Sequence, residues 1–410
     1  MGTNKKFGVY LVVLVVVTGL AGIRYWEWSR VWDGIGAGSQ IQIVERIIRE
    51  PEERWGKRYL RLGRRGVILV QVPDNLSIHY GDKVKIIGKL EERVIDEKKV
   101  GFSLIYSDFN VILASKHYLV LNRWRNRVID MVLKWLPGDE GGLAAGVLWG
   151  GDDRLSEKAS ENFRKSGLSH VVAASGYNVS VIAVWVGIVA IRLVGRRKSI
   201  YFVIVSMIMY VLMAGAQAAV VRAGIMAGLT TFALYSGRKT DGIWIWIVTG
   251  LAMLIISPAY FEDVGWQLSM AATAGLLWSG KLTSEKLLLT DLRTTLAAQV
   301  TTLPIVLHHF GNVSVVAPLA NVLVLPVVPL VMQIVAGASL VGLLLDQLGM
   351  MISWLAYPLL RWMTLVTDFV GAWGWSSITV EKLGWGWVAG YYLLLVIISN
   401  YKFLIINKPR

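Results

Sequence analysis

The stretch from Ser166 to Asn178, SGLSHVVAASGYN, sets a histidine, three serines, two glycines and an asparagine at the mouth of a long apolar helix. Two chemistries fit such a set. Ser175 could be the nucleophile of an intramembrane serine protease, with His170 nearby as its base. His170 stands five residues before Ser175, however, and side chains that meet on one helix are three or four apart, so the base would have to come from another helix, such as the one carrying His308 and His309. Alternatively, His170, Ser175 and Asn178 offer hydrogen bonds to water or cargo. Polar groups at bilayer depth are costly unless they line a cavity, a partner helix or a substrate path.

The elements that would position these residues are apolar. The chain has 410 residues, 55% hydrophobic and 17% charged, with 18 Trp, too apolar for an ordinary soluble protein of this length. Runs near spanning length recur at Phe7 to Ile23, Val171 to Leu193, Ile200 to Ala216, Ala219 to Tyr235, Ile243 to Pro258, Val264 to Trp278 and Trp387 to Ile406. Three more, broken by prolines, lie between Thr295 and Leu345. The fold class expected is a polytopic α-helical membrane protein of about ten spans, some broken or re-entrant. Residues 1–31 read as a retained signal anchor, with Arg24, Tyr25, Trp26 and Trp28 at the interface.

Lys and Arg number 42 against 28 Asp and Glu, a net charge of +14. The short loops with Arg196, Arg197 and Lys198, with Arg238 and Lys239, and with Lys281, Lys286 and Arg293 read as cytoplasmic. The same rule puts both termini inside and residues from about Trp32 to Leu155 outside the cytoplasmic membrane. The absence of cysteine excludes disulfides, thiolate metal sites and thiol catalysis.

Residues 32–116 have a different texture. Ile41 to Ile48, Tyr59 to Leu62, Val67 to Val72, Lys83 to Leu90 and Phe102 to Ile105 alternate at strand period between Gly, Pro, Asn and Asp, which predicts a small extracytoplasmic all-β domain. The run Tyr80 to Leu90, a turn and then a strand with Gly88 in its middle, resembles an OB-fold strand. Arg58, Arg61, Lys83 and Lys85 are candidate DNA contacts there, with a solvated barrel surface as the alternative. Residues 117–165 follow as amphipathic interfacial helices: Leu119, Leu121, Trp124, Val128, Met131, Val132 and Trp135 share a face opposite Arg123, Arg125, Arg127 and Lys134.

From Gly142 to Ile182, GLAAGVLWGGDDRLSEKASENFRKSGLSHVVAASGYNVSVI resembles the core signature of ComEC-type competence proteins, the inner-membrane channels for DNA internalisation in natural transformation. The resemblance continues in order through Gly215, Val221, Arg222 and Ala223, then Met226 and Arg238, then Pro258 and Phe261, Asp263 to Ser269, Gln299, Thr302 and Pro304, Phe310 and Gly311, and Asn321 and Pro326. It covers nearly the whole chain, with residues 166–410 as the channel domain. Gly167, Gly176, Gly265, Pro304 and Pro326 are structural positions of the motif. Where relatives often carry a second histidine after the Ser-Gly pair, this chain has Tyr177 and Asn178.

The resemblance implies that single-stranded DNA passes along a path lined by His170, Ser175, Asn178, Arg222, Gln267, Ser269, Gln299 and Asn321. A charge at the bilayer centre costs roughly 3 kcal/mol, so that path must be aqueous and rich in donors. Each polar residue also has a structural alternative. Arg222 could snorkel to headgroups, Asn321 could satisfy carbonyls freed by Pro318 and Pro326, and Gln267, Ser269 and Gln299 could join helices. Gly224 and Gly228, at G-x-x-x-G spacing, suit helix packing. The partners expected, besides membrane lipids, are an outer DNA receptor, a separate nuclease and a cytoplasmic ATPase or translocase; a homo-oligomer stays open.

No enzyme activity, cofactor or metal is expected. The five histidines form no H-x-H-x-D-H cluster, and Gly275 to Leu282 misses the P-loop hydroxyl, with Leu282 in its place. The rival classes are a small-molecule or lipid transporter and the serine protease with Ser175.

Overall fold

The computed structural model describes residues 18–27, 29–30, 38–47, 52–54, 57–62, 68–76, 78, 82–96, 99–113, 116–152, 154–173, 175–238, 240–279 and 287–406. It is mostly helical, with a small β region near the N-terminus. In chain order the first elements are α1 (residues 18–27), β1 (Gln40–Arg46), β2 (Glu52–Arg54), β3 (Lys57–Leu62), β4 (Ile68–Gln71), β5 (Lys83–Asp96) and β6 (Lys99–Leu113). Next come α2 (Lys116–Trp135), α3 (Gly138–Trp149), α4 (Glu157–Lys165), α5 (Ser169–Val172), α6 (Gly176–Met213), α7 (Ala218–Tyr235), α8 (Gly242–Ile256), α9 (Val264–Ser279) and α10 (Leu287–His309). The last are β7 (Asn312–Ser314), α11 (Ala317–Val324), α12 (Val328–Gly342), α13 (Asp346–Trp354), α14 (Tyr357–Gly371), β8 (Ser377–Thr379) and α15 (Trp385–Ile406). They fall into two units, one of residues 1–130 with 174–266, the other of residues 131–173 with 267–410.

In the first unit the strands form one sheet in the order β1-β5-β6-β4-β3-β2, with β4 and β6 parallel and every other pair antiparallel. Period-2 patterning decides which side is core. Along β5, Val84, Ile86 and Leu90 are buried while Lys83 and Lys89 are exposed. Val84, Ile86 and Leu90 pack with Ile43, Leu60, Val70, Val72, Leu104 and Phe109. Gly88 sits at a register shift where a Cβ would collide with the Ile105 carbonyl and the Tyr106 backbone, so the mid-strand glycine permits the close approach of β6.

The same unit holds the longest helix. At Gly195, φ +80° and ψ 163° break α6 into arms of residues 176–194 and 196–213. A Cβ on Gly187 would stand 3.6 Å from the Val203 Cγ2. Sixteen residues of straight helix would hold those positions about 24 Å apart, so the arms fold back on each other as a hairpin. The exposed Arg196, Arg197 and Lys198 lie at its turn. Each arm is roughly 28 Å long, close to the hydrocarbon thickness of a bilayer. Its outward side chains, including Val184, Trp185, Ile188, Leu193, Tyr201, Phe202, Val205 and Ile208, are large and apolar.

Among the described residues, the 38-residue stretch of α6 is the single one long and apolar enough to cross a membrane without a neighbouring helix, and it is the one folded into two arms. α11 and α12 pass that test only together, across a bend of 45°. α7 and α8 are apolar but shorter. The ten expected spans are therefore not matched one for one by helices of spanning length. The breaks at Gly195, at Gly215 and Ala216 with φ of +77° and +46°, and at Ser257-Pro258 fall between the expected apolar runs or at their ends. Most of Phe7 to Ile23 lies outside the described residues.

In the second unit α3 is buried from Glu140 to Leu148. The Glu140 carboxylate accepts from Arg361 Nη1 at 3.0 Å and Thr364 Oγ1 at 3.2 Å, which pairs an acid that is otherwise expensive to bury. The end of α2 belongs to this core: Trp135 packs against Gly342 and Gly349, and its indole donates to Asp346 Oδ1 at 2.9 Å. Val132, Trp135 and Leu136 are thus inside the protein, while Trp124 alone of the expected interfacial tryptophans of this helix is exposed. α10 carries Pro304 in its interior. Proline has no N–H for the Val300 carbonyl, and the Tyr391 hydroxyl of α15 donates to that carbonyl at 3.1 Å instead. Tyr392 donates to the next carbonyl, Thr301, at 2.7 Å.

Candidate lining of a polar path

The N-terminal end of the α6 hairpin carries Ser175, Gly176 and Asn178. Ser175 is extended at the cap position and its Oγ donates to Asn178 Oδ1 at 3.0 Å. Asn178 is 2% exposed and also hydrogen-bonds the buried Tyr210 from the opposite arm. Asn178 therefore ties the two arms, a role that sequence reading missed because its partner lies 32 residues away. A Cβ on Gly176 would stand 2.9 Å from the Ala223 Cβ and 3.2 Å from Arg222 Nη2. The glycine thus brings α7 and the Arg222 guanidinium against the first turn of α6, the positive end of the helix dipole.

Arg222 is buried at 9% exposure and Nη1 reaches the Met226 sulfur at 3.3 Å. Gly224 meets Val211 of the second α6 arm, in keeping with helix packing, whereas nothing approaches Gly228. Asp263 accepts from the Trp266 N–H at 2.7 Å and so caps α9, and a Cβ at Gly265 would press on that carboxylate at 3.0 Å.

In the second unit the loop Ser166–Leu168 is buried at both ends and turns at Gly167 with φ +75°. A side chain there would strike the Ala317 Cβ at 2.5 Å and the Ser314 Cβ at 3.0 Å, so this glycine seats the signature loop on the start of α11. His170 is exposed, with Nδ1 3.1 Å from the Gly167 carbonyl. Gln267 Oε1 lies 2.9 Å from His309 Nε2, and His308 Nδ1 lies 2.6 Å from the Leu383 carbonyl with its ring 4.2 Å from Trp385. Ser269 and Gln299 are half-buried, and their carbonyls accept from Thr273 and Thr302 one turn on.

Asn321 differs from these. It is 6% exposed in the apolar α11, and among the described residues its Oδ1 has no hydrogen-bond partner. Pro326 bends the chain just beyond it, and the Leu323 carbonyl there accepts from the Trp362 indole at 3.1 Å.

In the β region, Arg58 donates to the Leu76 and Pro73 carbonyls at 2.8 and 3.5 Å, holding a loop, while Lys83 and Lys85 point away from the core. The Arg61 side chain lies outside the described residues. So does the end of the Gly275 to Leu282 stretch; Gly275 itself lies inside α9 and packs on Ala297 and Thr301 of α10.

A family model described as "Competence protein" matches residues 147–404. The chain belongs to the competence protein family. It is 25% identical over 243 residues to ComE operon protein 3 of Bacillus subtilis (strain 168), covering 56% of this chain and 31% of that relative. It is 28% identical over 221 residues to competence protein ComA of Neisseria gonorrhoeae, covering 50% of this chain and 31% of that relative. The matched stretch thus spans about a third of each relative's length. No solved structure matches the chain significantly. The family region takes in Gly167, Gly176, Arg222, Gln267, Pro304, Asn321 and Pro326, so the packing at each describes a competence-family core.

Proposed function

We propose that the chain forms an aqueous path that carries single-stranded DNA across the cytoplasmic membrane in natural transformation. Asn321 carries this reading. A buried amide oxygen with no described partner, in an apolar helix beside a proline bend, costs about 1–3 kcal/mol unless water or cargo reaches it. Broken helices at membrane depth ordinarily border a cavity. Family membership and the apolar outer surface of the α6 hairpin support the same reading.

In this account about ten spans cross the membrane, with the hairpin turn and both termini cytoplasmic. His170, Ser175, Asn178, Arg222, Gln267, Ser269, Gln299 and Asn321 contribute to the polar path, with Arg222 and the first turn of α6 attracting phosphate. The β region is an OB-type barrel on the outer side. Its first strand is split into β1 and β2, which pair opposite edges of the sheet, and β4 runs parallel to β6, the connectivity of a five-stranded Greek-key barrel.

Moving anions into a negative-inside cell costs about 2.3 kcal/mol per charge per 100 mV, so a cytoplasmic ATPase or translocase must drive the strand. A separate nuclease and an outer receptor supply it, and the chain itself is no enzyme. Ser175 donates to Asn178 and not to an imidazole, which favours the path over the protease.

The test is uptake. Deleting the gene should leave surface DNA binding intact and abolish internal, DNase-resistant DNA; normal uptake overturns the reading. Asn321→Leu should cut internalised DNA severalfold while the folded protein stays at least as stable, because an unpartnered polar atom is removed. Wild-type uptake by that variant removes Asn321 from the path.

A further inference from the structure

The wall of one cavity of the second unit contains none of the residues named so far as lining. The cavity has a volume of about 360 Å³ between α4 and the end of α14. Lys158, Asn162 and Lys165 face it from α4 at i, i+4 and i+7, and Asp368, Trp373 and Ser377 face it from the other side. Lys158 makes no ion pair with a described residue. Lys165 pairs with Glu161 at 2.9 Å, but both side chains are more than a third exposed, and an exposed pair of this kind gives way readily to another anion.

The rest of the wall is held in place. Asn162 Nδ2 donates to Asp368 Oδ1 at 2.8 Å, and Gly371 leaves room for Asn162, which would meet a Cβ at 3.1–3.2 Å. The Trp373 ring stacks on Trp375 at 4.9 Å and meets Phe369 edge-on at 5.4 Å, so its plane is fixed before any ligand arrives.

Two ammonium groups, an oriented indole and a carboxylate in one cavity make a composite demand. The ammonium pair asks for a phosphodiester. The indole asks for a flat ring, since every nucleobase has a face that stacks. Asp368 disfavours a bare inorganic anion, but it can accept from a base amino group, as carboxylates do from cytosine. A volume of 360 Å³ is near the lower end of small-molecule sites and suits one nucleotide. A lipid headgroup satisfies the ammonium pair, and an indole suits headgroup depth, but a headgroup offers no flat ring for the Trp373 face and no base amino group for Asp368.

We propose that this cavity holds one nucleotide of the incoming single strand, its phosphodiester between Lys158 and Lys165 and its base on Trp373, as a docking point before the membrane path. The inference rests on the DNA-path reading and on α4 being outside, as the basic loops imply. It adds a site that the path lining does not contain.

The test uses the full chain in phosphatidylcholine nanodiscs and a fluorescent single-stranded oligonucleotide. Lys158→Gln with Lys165→Gln should weaken binding about tenfold and reduce the log–log salt slope by about 1.4, the share of two phosphates on a single strand. Lys158→Arg with Lys165→Arg should restore both. Trp373→Ala should weaken binding about 5- to 100-fold, and an abasic oligonucleotide should weaken the wild type but not that variant. All these side chains are at least partly exposed, and circular dichroism checks that each variant is folded.

Unchanged affinity and salt slope in the Gln pair overturns the proposal. So does phosphatidylglycerol displacing the oligonucleotide from the wild type while abasic and intact strands bind alike, which assigns the cavity to lipid. A wild type that binds no oligonucleotide overturns it too. The uptake phenotype of the deletion strain decides the path reading separately.

Discussion

Pro304 and Tyr391 can be tested as a unit. The proline leaves the Val300 carbonyl without its helical donor, and Tyr391 Oη supplies one across the α10–α15 contact at 3.1 Å. Hydrogen bonds between helices in a membrane average about 0.6 kcal/mol and reach about 1.7, while a buried carbonyl left bare costs about 1–3. Tyr391→Phe in the native background should therefore cost about 1–2 kcal/mol, since it leaves Val300 with neither donor. In a Pro304→Ala background the new N–H reaches the Val300 carbonyl, and the same Tyr391→Phe should cost under about 0.5 kcal/mol. The expected coupling is about 0.5–1.5 kcal/mol. Tyr392→Phe is the comparison: its acceptor, Thr301, has the Ile305 N–H in helical register, so its coupling to Pro304 should be smaller. Unfolding of purified protein in mixed micelles, titrated with SDS, gives the four free energies of the cycle. Additivity within about 0.3 kcal/mol refutes the idea that the tyrosine answers the proline.

Two further perturbations follow from packing and charge. Gly167→Ala places a methyl group against Ala317 and Ser314 at φ +75° and should destabilise by about 2–5 kcal/mol from the left-handed backbone and the overpacking together. Gly228→Ala, with open space around it, should be neutral or stabilising, and equal unfolding midpoints for the two would contradict this packing. Asp346 accepts from Lys134 and from the Trp135 indole, which hold its carboxyl below the ordinary value of 3.8. A depressed folded value means stability that is present above about pH 4 and lost as pH falls through it. The unfolding midpoint of the wild type should fall more steeply between pH 5 and about pH 3 than that of Asp346→Asn, and parallel curves would count against the linkage.

How much of this was legible depended on the range of the interaction. Period-2 alternation in β5 identified its buried face, and the register shift at Gly88 answers to the mid-strand glycine of the sequence. The basic triplet at Arg196 predicted a loop, found as the hairpin turn beside Gly195. What failed was length: α7 and α8 are apolar but shorter than a spanning helix, and α11 and α12 reach spanning length only together across a 45° bend, so hydropathy counts spans that helix length does not reproduce. Long-range pairs were also invisible. Asn178 with Tyr210, Glu140 with Arg361 and Pro304 with Tyr391 join residues that no local pattern links. The α4–α14 cavity escaped for the same reason, since Lys158 and Trp373 lie far apart in sequence and Trp373, with Trp375 and Trp385, reads along its own segment as part of an interfacial belt.

Six of the eight polar candidates divide by what their side-chain hydrogen bonds already do. Ser175 and Asn178 bond each other, Gln267 bonds His309, and His170 faces the Gly167 carbonyl. A substitution at any of these disturbs packing whether or not DNA passes nearby, so loss of uptake alone would say little about them. Asn321 and Gln299 are different. They stand on α11 and α10, which pack together, and neither side-chain amide bonds a described residue. If water fills the space beside them, Asn321→Leu and Gln299→Leu should leave stability unchanged or raised and lower uptake together; if that space is dry, both should raise stability with uptake intact. The sign of the uptake change at fixed stability therefore separates a path wall from leftover helix glue, a distinction that Asn178 or Gln267 cannot give.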